Sequence, residues 1–287
     1  MAVKSRKSKD NIVDCRQSKN PDIPKQAFQG DMMNNEQLKT YRSFLKDSIR
    51  KKIAFKYTDQ NQGVPVPPIQ KPCPEDSVLL DLPSPDEWKN IPPADITQAI
   101  GNRKSRRVYL RQSLSLEELA YLLWCTQGLR GKEFNGHAYR NVPSAGCRHA
   151  LETYIAVFHV KGLAPGVYRY LPLSHGLIFE FKDEMLPEKM ITASLGQSYP
   201  GKSAVTFIWS AVPYRMEWRY GLAAHKVIAL DAGHVCQNLY LACEAIDAGT
   251  CAIAAYDQEE LDELLGLDGE EEFAVYLAPV GKVKKQP

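Results

Sequence analysis

Asn102 to Tyr109 reads NRKSRRVY, and four of its eight residues are cationic. Gathered around Ser105, the guanidinium groups of Arg103 and Arg107 and the ammonium of Lys104 make a seat for an anion. Arginine matches phosphate oxygens in a planar, two-point fork, and a serine hydroxyl adds a donor. A solvated basic turn has the same composition, so the remaining chemistry-bearing stretches decide the matter. These are a PSAG turn (Pro143, Ser144, Ala145, Gly146), a small-residue run GTCAIAA, a WRYG stretch with Arg219 and Tyr220, and a terminal VGKVKK. Small residues let backbone N–H groups approach a flat ring closely.

Several mechanisms find no support. No GxGxxG opens a helix after a strand, and there is no Walker loop, GxSxG elbow or zinc-spaced histidine pair. The six histidines do not fall at metal spacing, and seven cysteines without a CxxC pair argue against a disulfide framework. We expect no metal. The +2 net charge is uneven: residues 1–57 hold 14 Lys+Arg against 6 Asp+Glu. That arm lacks a nucleic-acid recognition pattern, so nucleic acid is not an expected partner. No apolar run is long enough to span a membrane, and MAVKSRKSKD has no signal-peptide core, so a cytoplasmic location is expected.

The elements that must position these residues divide the chain into three parts. Residues 1–57 read as a basic extension with one helix, and 58–94 as a proline-rich extended segment that includes VPVPPIQKPCP and carries 9 of the 19 prolines. Residues 95–287 form the regular domain. There SLSLEELAYLLWCTQG predicts a helix with a Ser115/Glu118 capping box, and DAGHVCQNLYLACEAI a second. DQEELDELLGL predicts a third, capped at Asp257. Strands are expected in HALETYIAVFHV, SAVTFIWSAV and EFAVYLAPVG, with a hairpin in GVYRYLPLSHGLIFEF. Helices and strands mix without a βαβ rhythm, which predicts an α+β fold with a mixed, mainly antiparallel sheet.

In that order, the RxSxR-like cluster, the capped helix, PSAG, the long helix and the closing strand ending VGK resemble the FMN-dependent nitroreductase superfamily over residues 95–283. NVPSAGCRHALETY, GVYRY, WRYG and DAGHVCQNLYLA are similar to its SagB-like branch, which includes azoline dehydrogenases. The resemblance implies a three-layer homodimer with FMN at the subunit interface. It implies that Arg103, Lys104 and Ser105 hold the phosphate and ribityl end, with Arg107 near the pyrimidine edge. Pro143, Ser144, Ala145 and Gly146 would face the partner's flavin, Ala254 and Ala255 would offer backbone N–H groups near N5, and Lys282 would add to phosphate binding. Cys147 stands where many relatives have Asn, and Ala252 where Pro is usual. Hydride would pass through N5 in a ping-pong cycle, from NAD(P)H to a nitro or quinone acceptor. The branch instead implies dehydrogenation of a heterocycle or peptide, with Arg219 and Tyr220 in place of a Lys-Tyr pair. Arginine is a poor general base at neutral pH, so Arg219 suits an anionic group better. A vestigial flavin site on a scaffold protein is the alternative from another class.

Overall fold

The computed structural model describes residues 35–284. The chain divides into two compact units after Arg42. Of the first, the described part is the start of an exposed helix (α1, Asn35–Leu45), with a Glu36–Lys39 pair at 2.6 Å. Residues 1–34 of the basic arm lie outside the described residues. The second unit begins at Ser43, ahead of the boundary expected after residue 57. The reason is local: the 3-10 turns Asp47–Lys52 and Phe55–Tyr57 lead into Gln60, whose N–H donates to the Trp218 carbonyl at 2.9 Å.

The centre of this unit is a seven-stranded sheet of order β1-β4-β3-β2-β5-β7-β6. Its strands are β1 (Leu79–Asp81), β2 (Leu151–Val157), β3 (Gly166–Leu171), β4 (Gly176–Phe181), β5 (Val205–Ala211), β6 (Ala248–Thr250) and β7 (Phe273–Lys282). Every ladder among them is antiparallel, and among the described residues parallel pairing is confined to the isolated bridges Ser105–Thr250 and Leu114–Val160. β2 and β5 are buried along their whole length. Alternation then sorts their side chains to opposite faces. Ile155, Phe207, Trp209 and Val280 pack beneath helices α3 (Leu116–Gln127) and α6 (Ala224–Ala245). Tyr154, Ile208 and Leu277 pack beneath α4 (Leu186–Ala193) and α7 (Gln258–Leu265). The result is the three-layer α+β arrangement. No helix among the described residues is long and apolar enough to cross a membrane.

Helix α3 starts where its capping box requires. Ser115 Oγ accepts from the Glu118 N–H at 3.1 Å, and Glu118 Oε2 accepts from the Ser115 N–H at 2.9 Å. Two further helices, α2 (Ile96–Asn102) and α5 (Tyr214–Tyr220), flank the chemistry-bearing stretches.

The proline-rich segment runs along the α4/α7 side of β2 and β3, fastened by buried arginines. Prolines present carbonyls without N–H groups, so those carbonyls need outside donors. Arg140 Nη2 donates to Ile69 O at 2.7 Å, and Arg148 Nη2 to Pro67 O at 2.8 Å. Arg169 donates to both Lys71 O and Pro72 O at 3.0 Å. Acids balance the charge: Glu152 Oε1 accepts from Arg215 Nη2 at 2.5 Å and from the Lys71 N–H at 2.6 Å, and Glu272 accepts from Lys71 Nζ at 2.6 Å. Burial pushes the Arg140 guanidinium down to about 10, which leaves it charged at neutral pH.

Arg215 and Glu152 are almost wholly buried as a pair, at 3% and 2% side-chain exposure. Replacing one partner strands the other's charge, at about 3–5 kcal/mol. Arg215→Met should therefore lower unfolding stability by about that amount, read from the urea midpoint. A loss near zero would show that the Lys71 N–H alone suffices for Glu152.

Candidate active site

The basic cluster follows α2. Asp95 caps that helix by accepting from the Gln98 N–H at 2.8 Å, and Arg103 closes it. Residues beyond then run extended beside β6: the Arg106 N–H donates to Thr250 O and the Leu110 N–H to Lys282 O, both at 2.8 Å. Gly249 permits this approach, because a Cβ there would collide with Arg106.

Two tyrosines gather the cluster against the small-residue loop after β6. The Arg103 guanidinium stands over the Tyr240 ring at 5.2 Å, and that of Arg107 over Tyr199 at 5.9 Å. Tyr240 Oη shares a 3.0 Å hydrogen bond with Ser105 Oγ and accepts from the Ala252 N–H at 2.9 Å. Tyr199 Oη donates to Gln197 at 2.6 Å, and Gln197 Nε2 donates to Ala255 O at 2.9 Å. Neither Arg103 nor Arg107 takes part in an ion pair among the described residues. The Nε of neighbouring Arg106 is buried without a partner. These are cations held in place by rings and left for an anion.

Lys282 does not join them. It is buried, and its ammonium donates to Glu118 Oε1 and Ile246 O, each at 2.5 Å. Glu118 thus caps α3 with one oxygen and anchors the end of β7 with the other. The role implied for Lys282 by resemblance is replaced by this structural one, because a buried ammonium with two acceptors has no face for phosphate.

The PSAG turn forms a second cluster at the first half of α6. Ser144 Oγ accepts from the His149 N–H at 3.0 Å, and Asp231 Oδ2 of α6 accepts from the Ala145 N–H at 3.3 Å. Burial raises the Asp231 carboxyl, opposed by its bonds to Ser144 and Ala145. Gly146, Cys147 and His149 have φ of +59°, +54° and +48°. The two non-glycines each cost about 1–3 kcal/mol there, a strain that persists when surroundings hold it. A Cβ on Gly146 would lie 2.6 Å from Tyr220 Oη and 3.0 Å from Arg219 Nε, so the last turn of α5 lies directly on this turn. Arg219 and Tyr220 thus end a helix rather than edge a loop, and buried Trp218 donates to Val64 O at 2.9 Å. Pro143 opens the turn and, with Asp231 and Val235, lines a small cavity beneath it.

Asp231 and Tyr240 place the two clusters about 13 Å apart along α6 at helical rise. Between α6 and the loop after β6 lies an apolar groove of about 400 Å³, lined by Ile228, Ala232, Ala254, Phe273, Val275 and Tyr276 among others. Ala254 and Ala255 are exposed beside it. Tyr199, Gln197, Asp231 and Tyr240 carry the arrangement without having been singled out from the sequence; Tyr240 and Asp231 do lie within the helix read there. Gln197 and Tyr199 sit in a connection with no periodicity to mark them.

His149 ties the turn to its surroundings through a 2.8 Å contact between Nε2 and Ala138 O. Burial first, then Arg140, depresses its pKa to about 3. The folded value lies below the unfolded one, so this stability is present above about pH 6.5 and is lost as pH falls toward 3. His149→Leu should flatten the fall of the urea midpoint across that window relative to the unaltered chain. Parallel profiles would mean that His149 titrates normally.

The family model described as the nitroreductase family matches residues 100–282. A candidate nitroreductase of Methanocaldococcus jannaschii is 29% identical over 207 residues, covering 72% of this chain and 98% of that protein. Among solved structures, a candidate nitroreductase from Ralstonia eutropha matches with TM-score 0.59 at 24% identity, over 77% of this chain and 99% of that one. A second, from Anabaena variabilis, gives TM-score 0.55 at 24% identity over 66% of this chain, which spans 38% of its length. The Escherichia coli microcin synthetase McbBCD complex with truncated pro-MccB17 bound gives 0.53 at 17% identity, over 74% and 80% of the two chains. The family model spans well over half of the sequence, and its span takes in both the tyrosine-gathered cations and the strained turn: the chain belongs to the nitroreductase family and is an oxidoreductase.

Proposed function

We infer that this chain is an FMN-dependent oxidoreductase that works as a homodimer. The observation carrying this reading is the pair of guanidinium groups, Arg103 and Arg107, seated on tyrosine rings on either side of Ser105 and in no ion pair among the described residues. Arg103, Lys104 and Ser105 would hold the phosphate and ribityl end, and Arg107 the pyrimidine edge. A fixed cation there stabilises negative charge on a reduced ring. Ala254 and Ala255 border the groove and leave its face open to a flat ring. The separation of the PSAG turn from the cation cluster along α6 supports a site completed by Pro143 to Gly146 of a second copy.

Bound FMN would supply two-electron chemistry, passing hydride through N5 from NAD(P)H to a nitro or quinone acceptor in a ping-pong cycle. The chain's own part is to bind, orient and exclude water. A second reading, dehydrogenation of an azoline-type or peptide substrate, draws on the fold likeness to the microcin synthetase complex with truncated pro-MccB17 bound and on Tyr220 beside the turn.

The test is reconstitution with FMN, gel filtration and anaerobic addition of NADH or NADPH. Retained flavin absorbance that bleaches with one nucleotide is expected, and Arg107→Gln should weaken FMN binding about tenfold or more. Retained flavin that neither nucleotide bleaches would favour substrate dehydrogenation, and a protein that retains none would overturn both readings.

A further inference from the structure

Arg219 is half-buried in the last turn of α5. Its guanidinium stands 5.6 Å from the Tyr220 ring, and it has no hydrogen bond or ion pair among the described residues. Its surroundings are cationic. Burial first, and then neighbouring cations, lowers both His137 and Arg148: Arg148 and Arg219 act on His137, and Arg215 and Arg219 on Arg148. His137 Nδ1 lies 3.5 Å from Arg148 Nη1.

The neighbouring acids are engaged elsewhere. Glu152 holds Arg215, Glu217 pairs with His225 at 2.7 Å, and Asp59 accepts from Tyr214 Oη at 2.7 Å. Asp231 accepts from the Ala145 N–H, and its other oxygen lies 3.9 Å from His234 Nδ1. Arg50, near Tyr220, holds Asp47 at 2.9 Å, so that carboxylate is engaged as well. A half-buried guanidinium outside any ion pair among the described residues keeps its parallel N–H donors for an incoming anion. Gly146 leaves its flank bare, since any side chain there would meet Arg219 and Tyr220.

The geometry points to Arg219 as the seat for a carboxylate on the substrate, with the Tyr220 hydroxyl beside it, so that this enzyme selects acceptors carrying an anionic group. The assignment rests on the oxidoreductase reading for the word acceptor, and on Arg219 alone for the anion. Arginine offers a carboxylate two parallel donors, and lysine only one point of charge.

Two measurements on the full chain test it. Calorimetric titration compares benzoate with its neutral near-isostere benzamide, in the unaltered chain and in Arg219→Gln and Arg219→Lys. Benzoate should bind about tenfold to a hundredfold tighter than benzamide, with the preference lost in Arg219→Gln and reduced in Arg219→Lys. The second measurement compares 4-nitrobenzoate with 4-nitrobenzamide. In each, NAD(P)H and a proton supply two electrons and two hydrogens, the nitro group becomes nitroso, and one oxygen leaves as water. The ratio of their kcat/KM values should fall by a similar factor in Arg219→Gln, through KM. Equal binding of benzoate and benzamide, or a preference that survives Arg219→Gln, overturns the assignment. The calorimetric arm needs no flavin. A benzoate preference that depends on Arg219 in protein that binds no FMN would sustain the anion seat while sinking the flavin reading.

Discussion

The structure depends on carbonyl groups that proline cannot pair. A segment rich in proline has too few N–H groups to enter a sheet as a central strand, yet its carbonyls are buried once it lies on one. Four arginine donations, from Arg140, Arg148 and Arg169, meet Pro67, Ile69, Lys71 and Pro72. The arrangement reaches beyond the strap. Arg148 belongs to the strained turn, between two residues at positive φ, and also donates to Gly136 O and Arg215 O. Its guanidinium packs on Trp218 at 5.1 Å, and Trp218 itself donates to the strap at Val64. One buried side chain therefore couples the strap, the PSAG turn and the helix that ends in Arg219 and Tyr220. The cost of left-handed backbone at Cys147 and His149 is tolerable because the residue between them is held on several sides.

The arginines fall into two populations. Arg140, Arg148, Arg169 and Arg215 are buried with acceptors supplied by carbonyls and by Glu152, Glu180 and the strap. Arg103, Arg107 and Arg219 stand partly exposed over aromatic rings, in no ion pair among the described residues. A ring face holds a guanidinium in place electrostatically without consuming its N–H donors. That leaves the second population oriented and still able to bind, which is the property a ligand site needs and a structural ion pair lacks.

These two populations look alike in the sequence, and that explains what could be read there. Local signals were legible: the Ser115/Glu118 capping box, the hairpin around Pro172 to Gly176, the mostly apolar β5 and the long α6 all depend on neighbours within a few residues. The RxSxR-like stretch was legible as a cluster, and its gathering by Tyr240 and Tyr199 was not, since those partners lie over ninety residues away. Lys282 misled for the same reason: Glu118, already explained by its cap, has a second oxygen that only tertiary structure directs to β7. The short elements α5, β1 and β6 escaped because three to seven residues carry too little periodicity to mark an element.

Helix α6 turns these separate pieces into one frame. Asp231 near its start ties down the turn, Ile228 and Ala232 line the apolar groove, and Tyr240 near its end gathers the cations to the loop. All three ride on one helix that packs on the sheet through Val235, Leu239 and Cys243. Their spacing is therefore set by helical rise and not by any loop. A site of this kind tolerates wide change in the residues that meet the substrate, provided the frame stands. Family-level likeness accordingly reports the frame and the chemistry it serves. Selection among substrates falls to residues outside it, such as the half-exposed guanidinium that α5 sets against Gly146.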